Sequence, residues 1–176
     1  MPRRNEAANR WLVIMGVSGA GKSTIAAALS EKLGWEFRDA DAFHPPENVA
    51  KMAGGLPLVD ADRWPWLQAI ASWLALKQAR GEAAIVTCSA LKRVYRDRLR
   101  QGCAAAEFIF LKGPFQLIAE RVGARQGHFM PPALLESQFN ALEEPGADEA
   151  ALVVDINDTP EAITRRIEAA LAQSQD

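Results

Sequence analysis

"WLVIMGVSGAGKS", residues 11–23, decides how the rest of the chain is read. The apolar run Trp11–Met15 has the length and composition of a buried strand, and it passes directly into Gly16-Val17-Ser18-Gly19-Ala20-Gly21-Lys22-Ser23. That octet fits the phosphate-loop pattern G-x-x-x-x-G-K-[ST] in full. The chemistry needs these residue types. Glycines let the backbone turn its N–H groups inward and approach phosphate oxygens with no side chain between. The helix that follows adds partial positive charge at its N-terminus. Lys22 is expected to reach the β- and γ-phosphates and the Ser23 hydroxyl to ligate Mg²⁺, with Thr24 beside them on the first helical turn. The loop implies a nucleoside triphosphate.

Outward from the loop, short β-rich runs alternate with helical patterns. Ile25, Leu29 and Leu33 form one helical stripe that stops near Gly34. "EFRDA" (36–40) reads as a second strand, and "PWLQAIASWLALKQARG" (65–81) as a helix with Leu67, Ile70, Ala71 and Leu74 on its core face. "AAIVTC" (83–88), "EFIFLK" (107–112) and "ALVVDI" (151–156) complete five strands. Helices are expected over 91–102, ending in glycine, over 114–125, with Phe115, Ile118, Ala119 and Val122 inward, and after Thr159, an N-cap followed by Pro160. Alternation of this kind predicts an α/β fold, a parallel sheet of five strands with helices on both faces, in one domain spanning residues 1–176. Ligands of such sheets bind beyond the carboxyl ends of the strands.

The 176 residues are 49% hydrophobic and 24% charged with a net charge of −2, an ordinary globular balance that does not suggest a nucleic-acid partner. No apolar run approaches the ~18–20 residues that span a bilayer. Cys88 and Cys103 read as buried free thiols, which points to a reducing cytoplasm.

The strand 83–88 ends in "CSAL" without the acidic residue that commonly holds the metal ion in phosphate-loop proteins. Asp39 and Asp41, at the end of the second strand, are the natural replacement. Two apart on an extended backbone, both would face the γ-phosphate, Asp39 organising Mg²⁺ and Asp41 accepting the proton of an attacking hydroxyl. The bland alternative is a pair of acids capping a loop. A segment rich in Pro, Gly and polar groups follows, over about 42–63, and reads as a flap that binds the acceptor. It carries His44, Lys51 and Arg63. Arg63 either clamps a carboxylate in a bidentate fork or pairs with Asp60 or Asp62. Lys92, near Ser89 at a strand end, is a further substrate candidate, whereas the basic run Arg93, Arg96, Arg98, Arg100 reads as a solvated helix face. Trp64, Trp66 and Trp73 read as packing residues. A second mobile element, a lid over about 123–132, carries glycines at 123 and 127. Arg121 and Arg125, one turn apart, are candidates to close over the nucleotide phosphates, exclude water and stabilise the transferring charge.

Taken together, "GVSGAGKS", "DADAFHPPENVAKMAGGLPLVDADRWPWL", "CSALKRVYRDRLR", "ARQGHFMP" and "QFNALEEPGADE" resemble the gluconokinase family of small phosphate-loop kinases, from about Trp11 to Ile156. The resemblance implies a nucleoside-monophosphate-kinase-like fold and transfer of the γ-phosphate of ATP to the 6-hydroxyl of D-gluconate. It also implies a requirement for Mg²⁺, a cytoplasmic location and a homodimer. The family's ATP loop falls on Gly16 to Ser23, its acidic pair on Asp39 and Asp41, and its histidine-proline flap begins at His44. A different small-molecule kinase on the same fold and a nucleotide-dependent switch are the rivals. The sequence shows no guanine-reading N-K-x-D motif for the latter.

Overall fold

A computed structural model describes residues 9–124 and 132–174. The strands are β1 (Trp11–Met15), β2 (Glu36–Asp39), β3 (Ala84–Thr87), β4 (Ala106–Lys112) and β5 (Leu152–Asp155). They form one sheet in the order β2-β3-β1-β4-β5, and every pairing is parallel. Among the described residues the helices are α1 (Lys22–Leu33), α2 (Pro46–Ala53), α3 (Asp60–Ala79), α4 (Arg93–Gly102), α5 (Phe115–Ala124), α6 (Pro132–Ala141) and α7 (Pro160–Gln173).

The period-two alternation of β1 sorts the core into two layers. Leu12 and Ile14 point to the face covered by α1, α5 and α7, with Ile25, Leu29, Ile118, Ile163 and Ile167. Val13 and Met15 point to the face covered by α3 and α4, with Leu67, Ile70, Leu74 and Leu99. β1 is the switch point: α1 leads the chain to β2 on one side, and α4 carries it across to β4 on the other. A crevice opens at such a point, beyond the strands' carboxyl ends, and the phosphate loop follows β1 there.

The predicted strands and their order along the chain are present, as are the Gly34 helix stop, in the left-handed region at φ 71, and the Thr159 cap, whose side chain accepts the Ala162 N–H. Two expectations need correction. Helix α3 begins at Asp60, five residues before Pro65, so Arg63 lies inside the helix, and Pro65 sits near enough its start that only one turn of bonding is affected. The flap is half helical: α2 starts on Pro46 at its first turn, with Glu47 near the N-terminus and Lys51 near the C-terminus, both favourable to the helix dipole. Helix α4 ends on Gly102 as expected, and a Cβ there would lie 2.3 Å from the Ala71 Cβ, so that glycine serves close packing of α4 on α3.

Candidate active site

The residues that follow β1, β2 and β3 converge on one cleft of about 600 Å³. Its floor is the phosphate loop. Gly19 and Gly21 hold φ of 85° and 93°, conformations that side chains resist, and a Cβ on Gly19 would also strike the Val122 side chain at 2.3 Å. The Lys22 ammonium lies along the loop, donating to the Gly16 and Val17 carbonyls at 3.0 and 2.9 Å. The Gly16 N–H donates to the Ser89 carbonyl, which ties the loop to the segment after β3.

Asp39 ends β2 and does two things. Its Oδ2 accepts from the Ser23 hydroxyl at 2.7 Å, and its Oδ1 accepts the Asp41 N–H at 3.0 Å. The second bond caps a 3-10 turn over Ala40–Phe43, so the two aspartates are not related by extended backbone as the sequence suggested. They line the same cleft nonetheless, because the turn is pinned from both sides. Thr87 Oγ1 on β3 accepts the Ala40 N–H at 3.3 Å, and Trp66 Nε1 on α3 donates to the Ala40 carbonyl at 2.8 Å. The Asp41 carboxylate makes no side-chain hydrogen bond among the described residues and faces the cleft.

His44 lines the wall, stacked on Trp66 with ring centroids 4.4 Å apart and planes 10° from parallel. Burial pushes its imidazole below the usual histidine range, partly offset by the Asp41 charge. Its Nδ1 meets the Asn48 amide at 3.3 Å, and that amide also donates to the Asp62 carbonyl, so a buried asparagine joins α2 to α3 across the flap. Lys51 reinforces the join through Asp62 at 2.8 Å. Arg63 faces the cleft while pairing with Asp60 at 3.5 Å and touching the Tyr95 hydroxyl at 3.4 Å. Lys92 does not line the cleft: its ammonium is 3.8 Å from the same Asp60 and over the Tyr95 ring. Trp66 packs in the core as expected and also forms part of the wall.

A smaller pocket of about 180 Å³ lies on the other flank of the loop, lined by Gly19, Ala20, Gly21, Thr24, Arg121 and the start of α7. Arg121 donates to the Ile156 and Asp158 carbonyls at 2.6 and 3.3 Å, which holds it against the loop after β5. Arg125 and most of the expected lid lie outside the described residues.

Sequence reasoning missed the support of the Ser89–Lys92 segment. Arg96, read as solvated, is fully buried. It pairs with Glu149 at 2.7 Å and donates to the Ala90 and Leu91 carbonyls at 2.9 and 3.2 Å. Ala90 has φ of 46°, a rare conformation for alanine, which these bonds hold in place. Glu149 also accepts from Arg100 at 3.0 Å and from the Gly146 N–H, and these partners hold its carboxyl at a pKa of about 2. The signal was out of reach locally, since the partner is 53 residues away.

Ser23 and Asp39 offer oxygen donors only, one hydroxyl and one carboxylate, the set that suits Mg²⁺ shared with substrate phosphates. With the phosphate loop below, an uncommitted carboxylate at its rim and a polar cleft beyond, the arrangement can carry phosphoryl transfer to a small polar acceptor.

Comparison with known proteins agrees with this chemistry. A family profile described as an AAA domain matches residues 12–145. The gluconokinase of Gluconobacter oxydans (strain 621H) is 46% identical over 158 residues, covering 90% of this chain and 89% of that protein. The thermoresistant gluconokinase of Escherichia coli (strain K12) is 47% identical over 152 residues, covering 86% and 87%. The crystal structure of a gluconokinase from Sinorhizobium meliloti 1021 superposes with a TM-score of 0.85 at 45% identity, over 94% of this chain and 93% of that one. On sequence and on structure alike, the chain belongs to the gluconokinase family of phosphate-loop kinases.

Proposed function

We propose that this chain transfers the γ-phosphate of ATP to the 6-hydroxyl of D-gluconate, giving 6-phospho-D-gluconate and ADP. The observation that carries the reading is the opening of the phosphate loop, the Ser23–Asp39 pair and Asp41 onto one cleft, in a chain so similar to named gluconokinases. Asp41 takes the proton of the attacking hydroxyl. The hydroxyl oxygen bonds to the γ-phosphorus as the bond from that phosphorus to the β–γ bridging oxygen breaks, and ADP leaves with the electron pair. Lys22 stabilises the charge that spreads over the transferred group, and Arg125 is assigned the same task from its position in the sequence. Ser23 and Asp39 would hold Mg²⁺, which would supply charge neutralisation on the nucleotide phosphates. Thr24 and Arg121 belong to the nucleotide side, consistent with the second pocket. His44 and Arg63 belong to the acceptor side, where an anionic, polyhydroxylated molecule meets a guanidinium and an imidazole. Lys92 contributes positive charge at longer range.

The flap binds the acceptor, and exclusion of water, which favours transfer over hydrolysis, is assigned to the lid from its place in the sequence. We further assign the enzyme to the cytoplasm, supported by two buried free thiols, and to a homodimer, which light scattering tests. No helix among the described residues is long and apolar enough to cross a membrane. The reading is tested by ADP release from Mg·ATP with D-gluconate, shikimate, AMP or buffer alone. Turnover is expected with gluconate. Stimulation by another acceptor, or by none, overturns the assignment.

A further inference from the structure

Gln138 has no role in the reaction described so far, yet it touches the phosphate loop. It lies on α6, and its Oε1 accepts the Ser18 N–H at 2.6 Å while its Nε2 donates to Ser18 Oγ at 2.8 Å. The orientation of the carboxamide is dictated by the backbone: an N–H can only donate, so the oxygen must face it. The helix that presents it is anchored in the core through Leu135, 3% exposed, and through Phe139, whose ring meets Phe115 edge-on at 5.4 Å. The side chain is therefore held at the loop rather than resting there.

The two pockets fix which part of a nucleotide it would meet. Ser18 and Gln138 line the cleft that holds Asp39 and Asp41, and neither lines the pocket of Thr24 and Arg121. Gly19 lines both. Arg121 is held on the Ile156 and Asp158 carbonyls rather than over the cleft, so the smaller pocket is read as the base side; the phosphates then run over Gly19, and the chain ends at Ser18 and Gln138. The carboxamide has two N–H donors and two acceptor sites, of which Ser18 takes one each. Its other N–H makes no hydrogen bond to a described residue and faces the cleft.

We propose that Gln138 positions the γ-phosphate, donating its second amide N–H to a γ-phosphate oxygen while Ser18 holds the carboxamide still. The proposal rests on the ATP reading of this site. It makes Gln138 sensitive to the terminal phosphate, which a residue that merely braces the loop is not.

Gln138→Glu separates the two roles. A carboxylate still accepts the Ser18 N–H and the Ser18 hydroxyl, so the brace survives, but the donor is gone and a negative charge faces the γ-phosphate. Calorimetry on the purified full chain with Mg²⁺ compares ADP with the non-hydrolysable analogue that carries an imido β–γ bridge. Hydrogen bonds to charged groups lead us to expect about 10- to 100-fold weaker binding of the analogue, with ADP changed by no more than about three-fold. Gln138→Met, nearly isosteric and uncharged, is the second variant, and it too should raise the ratio of the analogue's Kd to that of ADP. Equal weakening of both ligands, or none, in a variant that melts like the wild type overturns the role of Gln138 alone. Wild-type protein that binds neither nucleotide overturns the ATP reading, and this proposal with it.

Discussion

Replacing Glu149 by glutamine tests whether the segment that bears Ser89 is held by buried charge. The Glu149 side chain is 2% exposed and the Arg96 side chain 0%. Hydrogen bonds from Arg96 are the largest cause of the carboxyl's low pKa, with the Gly146 N–H and Arg100 adding to it and burial opposing. A fall from 4.5 to about 2 corresponds to about 3 kcal/mol favouring the folded, ionised form. Removing one partner of a buried pair costs a similar ~3–5 kcal/mol, because the other charge is left uncompensated. Glu149→Gln is therefore expected to lose about 3 kcal/mol at pH 7, or roughly 6–12 °C in Tm for a domain of this size. The sign with pH follows from the depressed value. The contribution is fully present above pH 4.5 and fades as pH falls toward 2, so the gap between wild type and variant narrows over that window. Urea titrations at pH 7, 5 and 3.5 measure it. A gap below about 0.5 kcal/mol at pH 7, within the range of ordinary surface changes, refutes the assignment of this network as a support. So does a gap that does not shrink on acidification. In the surviving fold, loss of the Arg96 grip on Ala90 and Leu91 should raise the KM for gluconate more than that for ATP.

Asp41→Asn keeps the shape of the cleft and removes the proposed base. Single-turnover and steady-state assays should show kcat down by about 10²-fold or more, with ATP affinity nearly unchanged, and near-full turnover would remove Asp41 from that role. Gly102→Ala forces a methyl against Ala71 and should cost about 1–3 kcal/mol in denaturant titration with kinetic constants intact, since the contact lies between α3 and α4, far from the loop. His44 titrates below its ordinary 6.5 in the fold, so the unfolded chain binds its proton first, and wild-type stability should fall as pH drops below about 6.5. His44→Gln should flatten that part of the profile, and identical slopes between pH 7.5 and 5.5 would count against it.

What the sequence made legible was local. The phosphate loop is contiguous, the stripe of α1 repeats every four residues, and Thr159-Pro160 announces a helix in two residues. The sheet followed from alternation alone. What was hidden depends on partners far along the chain. Helix α2 buries Asn48 while its apolar Val49 and Met52 stay exposed, and it is held by polar bonds to Asp62, so the packing that fixes it is not the kind that hydrophobic periodicity reports. Arg96 sits in a run of basic residues indistinguishable from solvated neighbours until Glu149 is brought beside it. Gln138 meets Ser18 across 120 residues. The candidate substrate residues divided in the same way: His44 and Arg63 reach the cleft wall, while Lys92 turns toward Asp60, a choice made by side-chain packing around Tyr95.

The two meanings weighed for the acids after β2, loop caps or reacting groups, are not alternatives at Asp39. One oxygen caps the Asp41 N–H and so aims the neighbouring carboxylate, while the other faces the Ser23 hydroxyl, where Mg²⁺ is proposed to bind. The capping role needs only an acceptor; the metal role needs charge. Asp39→Asn divides them, since the amide oxygen can keep the cap while its nitrogen turns a donor toward Ser23. If charge is what matters, the variant folds with wild-type stability, and the Mg²⁺ concentration for half-maximal rate rises by about ten-fold or more, in line with the loss of a single hard ligand. If Mg²⁺ dependence is unchanged and turnover persists, Asp39 is a cap, and the ion is held by Ser23 and the phosphates without it.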